Sequence, residues 1–514
     1  MSNLAQCLIR TPSRDLRQIA GRLFPGDLAS WGRASNITSF LAEKLLDEEF
    51  LAGFLDRLSE RQRRVITLLV WTAGREGLSG ARMEGLLAST GDDAPKETVL
   101  SLAARGIVFA SPYQWGGYCL PEDLAAKIRA VLVRRALPRA VPSGEVASAN
   151  VFSGHFYEDC LTFMAYLHKN EVALTQKNAI PKRTLAKIFN IMQFKEATAD
   201  IPADFFYTIR FSLLLGYCIN FVKAVYFHER MAKVMTDPVV RWFKEKPSDM
   251  VVKAAPQVWD FLCRACPNPV TGALIELLRR MKEDQWYAYA EVAGAAQRLI
   301  DPYTCQAPEP GYYLDIMLDT GLLAEGRSHD GERLVRFGFW SPGKHVSVFP
   351  SLPGEEDGFW VQPNFEILAP PRLAPALRWQ LEMVATPVKM DHACIYALTK
   401  EAALGFFDRG GDIGQMVGFL EKYSKSPLPQ NVLFTIREWG ASYGRVSFLD
   451  VFLLRCDDAK LADEIEHHPK LRPYVRRRFD QNHLVVSRDQ YEPLLAALQK
   501  QGYLPRKGIF RPSN

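Results

Sequence analysis

The chain is expected to fold as a mainly helical α+β protein assembled from several small modules. Apolar residues recur at helical spacing along most of its 514 residues. In two places a run of such helices ends in paired strand-like segments around a polar tip, a helix-then-hairpin order. Near the C-terminus the pattern alternates strand, helix, strand, helix, which suggests a small α/β unit. The length corresponds to roughly three to five domains, and a hydrophobic content of 48% suffices for ordinary cores.

Residues 1–57 read as an N-terminal helical segment, with Leu41, Leu45, Leu46 and Phe50 on one stripe that Phe54 and Leu55 extend. Residues 58–137 carry the order of a winged helix. Ser59 and Gln62 form a capping box ahead of an apolar face at Val65, Leu68, Leu69 and Trp71. Ser79 caps a second helix through Met83, Leu86 and Leu87. Pro95 opens a third, where proline is tolerated because the first-turn N–H groups have no intrahelical partner. Gly106 ends that helix, and Ile107–Ala110 with Tyr118–Leu120 flank a β-wing. Residues 138–152 have few large apolar side chains and read as a linker.

Residues 153–350 read as a helical region with further winged-helix-like units. A helix from Phe156 carries Cys160, Leu161, Phe163, Met164 and Leu167, and Pro181 or Thr184 starts the next. Tyr313–Leu318 ends at Gly321, after which Leu322-Leu323 and Leu334–Phe337 enclose a polar tip, a second candidate wing. Residues 351–450 form a further domain, and residues 451–514 a terminal α/β unit. In that unit strands Val451–Cys456 and Leu484–Val486 alternate with helices Ala459–His467 and Tyr491–Gln501.

A formal net charge of +5 permits nucleic-acid contacts through local patches without a basic surface throughout. The nine cysteines are odd in number and scattered in apolar patterns, as buried thiols of a reducing compartment are. Met1–Arg10 lacks the basic and apolar regions of a signal peptide. No uninterrupted apolar run reaches membrane-spanning length, and Phe211–Phe227 is broken by Asn220 and Lys223. The expectation is a cytoplasmic protein without a membrane partner. Cys263-Arg264-Ala265-Cys266 is a lone CxxC with no second pair nearby, so neither a metal nor a cofactor is expected.

The most specific stretch begins Phe359-Trp360-Val361-Gln362-Pro363-Asn364-Phe365-Glu366-Ile367-Leu368. It passes through Tyr396-Ala397-Leu398-Thr399-Lys400-Glu401 and Ser424-Lys425-Ser426-Pro427-Leu428-Pro429, and closes on Tyr443-Gly444-Arg445-Val446. This order resembles the N-terminal extension of the XPB-type DNA repair and transcription helicases, over about the last third of the chain. The region before it resembles the helicase-associated proteins that accompany XPB-like domains in bacteria. In XPB-type helicases an ATPase motor follows the extension. Here a phosphate loop is missing: its nearest look-alike, Ser341-Pro342-Gly343-Lys344-His345, lacks the first glycine, the spacing and the final hydroxyl. No Asp-Glu-x-His or Asp-Glu-x-Asp box follows a hydrophobic strand. The resemblance implies the recognition part of a helicase system without its engine: a non-catalytic DNA-binding or accessory protein. It would act with a separately encoded helicase or nuclease in repair, defence or transcription.

Within this stretch Pro427 and Pro429 bracket a turn, Thr399 caps a helix, Gly444 ends another, and Arg445 is expected to start a strand. Most of these residues are expected to hold the fold together, with Lys425 and Arg445 as the candidate DNA contacts among them. Further candidates are Arg476, Arg477 and Arg478, expected between a helix and a strand, and Lys182, Arg183 and Lys187 at a helix start. Such side chains neutralise phosphates and release counterions, reading shape rather than bases. Tyr113 and Trp115 at the first wing tip are candidates for stacking on an unpaired base or wedging into a groove, with packing onto their own domain as the alternative. Asp457-Asp458 after a strand raises the alternative of a metal-dependent nuclease, although N-capping of the next helix accounts for the pair more simply. A winged-helix transcription regulator or interaction scaffold is the remaining alternative. No Gly-x-Ser-x-Gly elbow occurs, and no catalytic residue is assigned.

Overall fold

A computed structural model describes residues 3–25, 34–72, 78–89, 94–111, 116–150, 155–201, 205–245, 247–264, 268–300, 308–338, 356–390, 394–446, 449–506 and 508–509. Local signals set many of the elements. Gln62 N donates to Ser59 Oγ at 3.3 Å and Ser59 N donates to Gln62 Oε1 at 3.2 Å, so the capping box heads the helix Glu60–Thr72 as its spacing predicts. Pro95 opens the helix Pro95–Ala103. Gly106 reverses the chain after it with φ +68°, and an added Cβ there would meet Ile19 Cγ2 at 2.8 Å.

One order of elements occurs three times among the described residues: helix, strand, helix, helix, strand, strand. The first copy is Glu60–Thr72, Leu78–Ser79, Gly80–Ser89, Pro95–Ala103, Phe109–Ala110 and Gly117–Cys119. The middle copy is His155–Lys169, Val172–Ala173, Lys182–Ile191, Ile209–Gly216, Val225–His228 and Met231–Val234. The last copy is Pro269–Leu278, Trp286–Ala288, Tyr289–Ile300, Pro310–Asp319, Leu323–Ser328 and Arg333–Phe337. In each, the third strand lies between the other two and pairs antiparallel with both.

Residues 138–152 are more than a connection. Ala140–Val141 and Val146–Asn150 add the two edge strands to the sheet of the last copy. These edges are largely exposed, which is why their composition carries little apolar signal. Residues 1–57 share one core with the first copy, in which Leu4, Leu41 and Phe54 pack with Val65, Leu102 and Val131. A second core joins the middle and last copies.

The chain divides into two compact units, Met1–Arg437 and Glu438–Asn514. In the second, strands Phe452–Arg455, Val475–Arg478 and His483–Val486 form a sheet with the last strand central. Gly444 follows the helix Gln430–Ser442 with φ +73°, the left-handed conformation expected of a helix-ending glycine. Two expectations are corrected here. Arg445 lies in an exposed bend, and the strand begins later, at Phe452. The run Arg476-Arg477-Arg478 belongs to an edge strand rather than to a loop between elements. An edge strand tolerates such a charge run because its outer side faces water.

The third helices of the middle and last copies are fastened to each other by Arg210, whose side chain is 1% exposed. Its Nη2 donates to Asp159 Oδ2 at 2.8 Å and its Nε to Asp319 Oδ2 at 3.0 Å. Phe194 lies against the guanidinium, 4.2 Å from ring centroid to Cζ. Asp159 Oδ1 also accepts the Gln193 N–H at 2.6 Å. Glu196 receives the Thr208 hydroxyl at 2.7 Å and the Tyr312 hydroxyl at 3.1 Å. Burial opposes the charge on Arg210, but Asp319 and Asp159 outweigh it and hold the guanidinium protonated. Burial pushes the Asp159 and Glu196 carboxyls above the usual carboxylate range.

Removing the cation leaves buried carboxylates without compensation. Arg210→Met should therefore lower unfolding stability by about 3–5 kcal/mol in chemical denaturation, and a loss below about 1 kcal/mol would show that the cluster is not a fastening. Glu196 gives a pH signature. Its folded pKa lies above its unfolded one, so its contribution is present below the unfolded value and disappears as pH rises through the folded value. As pH rises above about 4 the wild type should lose melting temperature relative to Glu196→Gln. Parallel pH profiles for the two proteins would contradict this.

Candidate nucleic-acid interface

The helix Lys182–Ile191 buries Leu185, Ile188 and Phe189 and turns Lys182, Arg183 and Lys187 to solvent. None of the three cations makes an ion pair among the described residues, so their charges are available to a ligand. The loop before this helix is closed by Thr175 N donating to the Ala179 carbonyl at 2.8 Å and by Ala179 N donating to Thr175 Oγ1 at 3.2 Å, with Asn178 at φ 56°. Leu174 N donates to the Arg230 carbonyl at 2.7 Å, tying this loop to the turn of the hairpin Val225–His228 and Met231–Val234.

That hairpin escaped the sequence reading. The apolar helix before it masks the strand pattern, and its two turn residues, Glu229 and Arg230, are not the usual Asn-Gly or Asp-Gly, although both adopt positive φ (49° and 60°). Val225–His228 is an edge strand, and Tyr226, Phe227 and His228 on it are exposed.

Lys425 is less free than its sequence position suggests. Its Nζ lies 2.6 Å from Glu356 Oε2 and 4.8 Å from the centroid of the Trp360 ring, and its N donates to the Phe359 carbonyl at 2.7 Å. Together these bonds tie the turn after the helix Ile413–Tyr423 to the start of the strand Trp360–Val361. Arg478 is likewise committed: it pairs with Asp463 and Glu466, and its Nε donates to the Asp480 carbonyl at 3.0 Å. Arg476 Nε donates to Ser487 Oγ at 2.6 Å. Arg477 and Arg445 are exposed and make no ion pair among the described residues. Tyr113 and Trp115 lie outside the described residues.

The structure thus separates the predicted contacts into groups. Lys182, Arg183 and Lys187 share one helix face in the Met1–Arg437 unit, which also holds Lys425. Arg445, Arg476, Arg477 and Arg478 belong to the Glu438–Asn514 unit.

Asp458 Oδ1 accepts the Leu461 N–H at 2.8 Å and caps the helix Ala459–His467. Among the described residues no group of three or more His, Cys, Asp or Glu side chains is placed to hold a metal ion. Cys263 is a half-buried thiol on the helix Pro247–Arg264, and Cys266 lies outside the described residues. No described helix is long and apolar enough to cross a membrane.

The strands Trp360–Val361, Glu366–Ala369, Thr386–Lys389 and Cys394–Ala397 form an antiparallel sheet in which Cys394–Ala397 lies between Glu366–Ala369 and Thr386–Lys389. Its helix Pro375–Val384 packs on His155–Lys169 of the middle copy through a buried polar seam. Arg378 Nη1 lies 3.0 Å from Glu158 Oε2, and Lys169 Nζ lies 3.1 Å from Glu382 Oε2. Burial works against the Arg378 charge, and Glu158 is foremost among the neighbours that together hold the guanidinium protonated. Trp379 stands between His168 and Phe243, with ring centroids 5.7 and 5.9 Å away.

Residues 359–480 match the family model described as helicase conserved C-terminal domain. No curated protein matches the chain. The matched stretch starts at Phe359, includes Lys425, Arg445 and Arg476–Arg478, and supports a helicase-associated protein.

The geometry sorts scaffold from surface in the matched stretch. Arg478→Ala removes two ion pairs and the contacts to the Asp480, Ala459 and Gln481 carbonyls, and should lower the melting temperature of the full chain. Arg477→Ala removes none of these and should leave it unchanged. Equal losses for the two variants in thermal melting would contradict this sorting.

Proposed function

We propose that the chain is a non-catalytic accessory protein of a helicase system that binds DNA and acts with a separately encoded helicase or nuclease. The observation that carries this reading is the helicase C-terminal-domain match at 359–480. The order of motifs within it resembles the XPB-type N-terminal extension, and the sequence holds neither a phosphate loop nor an acidic box. The repeated helix, strand, helix, helix, hairpin order adds support, because it is the order of the winged helix, which binds DNA or protein. Repair, defence and transcription are the settings that the XPB-like resemblance suggests.

The mechanism is phosphate contact from Lys and Arg side chains, with counterion release and shape-directed rather than base-directed binding. Burial of the third helices of the middle and last copies supports this form of binding, since a helix packed in a core does not enter a major groove. The same burial favours a second reading, an interaction scaffold in which these modules hold protein rather than DNA. The nuclease alternative loses support because Asp458 is used as a helix cap.

The purified chain should neither hydrolyse ATP nor unwind duplex DNA. A DNA-stimulated ATPase that co-elutes with the chain through successive columns would overturn the non-catalytic reading. Affinity purification of the native protein separates direct docking from bridging. A helicase or nuclease retained after nuclease treatment docks directly, one lost is bridged by DNA, and the absence of both removes the accessory role.

A further inference from the structure

We infer that the hairpin of the middle copy, with the loop and helix start tied to it, is a binding surface for single-stranded nucleic acid; this rests on the DNA-binding reading above and names the form of nucleic acid. The hairpin side chains supply the reason. Tyr226 and His228 alternate on the edge strand Val225–His228, so they share one face about 7 Å apart. Tyr226 is 37% exposed, and Lys233 stands directly across the ladder from it. Exposed rings beside a cation form a stacking platform, which any unpaired base can occupy because every base has a π face. A duplex keeps those faces covered.

Phosphate contacts complete the surface. The backbone bond from Leu174 to Arg230 holds the loop carrying Lys177 against the hairpin turn, and the next helix begins with Lys182 and Arg183. Lys177, Lys182 and Arg183 are exposed and make no ion pair among the described residues. Glu229 is the acid within the turn, and it faces His228 Nε2 at 3.6 Å. The third helix of this copy is buried around Arg210, so the hairpin side is the part of the copy left to meet a ligand.

The test uses the full chain and fluorescence anisotropy with a labelled oligothymidylate of about 16 nucleotides and a duplex of the same length. The single strand should bind at least about tenfold tighter than the duplex, and Tyr226→Ala with His228→Ala should lose about tenfold for the single strand alone. Lys177→Ala, Lys182→Ala and Arg183→Ala together should lower the log–log salt slope by about 2, three phosphates at about 0.7 each. Circular-dichroism melting checks that both variants are folded. Preference for duplex, or variants that bind as the wild type does, would overturn this inference and leave the DNA-binding reading standing. A wild-type chain that binds neither oligonucleotide would remove both.

Discussion

One buried guanidinium sets the arrangement of the larger unit. Arg210 sits on the third helix of the middle copy and reaches Asp159 on that copy's first helix and Asp319 at the end of the last copy's third helix. A charge taken out of water is tolerated only when its partners are close and themselves hydrogen-bonded. The backbone N–H groups of Gln193 and Phe194 complete Asp159, and the Thr208 and Tyr312 hydroxyls complete Glu196. A polar network satisfied to this degree specifies one way of docking the two copies, because another register would strand buried charge.

The consequence for function is a matter of which surfaces remain. With two third helices committed to the core, the middle copy presents its hairpin and the exposed face of Lys182–Ile191. The part of the matched stretch that lies in the Met1–Arg437 unit is anchored on the same copy through Arg378, Glu158, Lys169 and Glu382. Within that unit the middle copy therefore stands between the helix Pro375–Val384 and the last copy. The net charge of +5 is modest, so any contact with phosphates depends on local groups of cations such as Lys177, Lys182 and Arg183.

What the sequence made legible was local. The Ser59 and Gln62 box, Pro95, Gly106, the Asp458 cap and Gly444 act within a few residues of themselves, and each lies where its chemistry predicts. The hairpin Leu323–Ser328 with Arg333–Phe337 was readable for the same reason. The middle copy was harder. Its third helix is apolar on almost every side, with Arg210 as the interruption, and periodicity carries no face for such a segment. The edge strands in 138–152 resemble a linker in sequence because exposed edges need little apolar surface. Lys425 and Arg478 stand out in the sequence as candidate DNA contacts, because Glu356, Asp463 and Glu466 reach them only through tertiary structure. Nothing in their own neighbourhoods announces those partners.

Hydrogen–deuterium exchange of the full chain, with and without a single-stranded oligonucleotide, tests most directly whether locked third helices leave the hairpin to do the binding. The account predicts added protection in Val172–Ala173, Lys182–Ile191 and the hairpin from Val225 to Val234, with no change in Ile209–Gly216 or Pro310–Asp319, which are already protected in the free protein. Rapid exchange of those two helices in the free chain, or new protection confined to them, would contradict it.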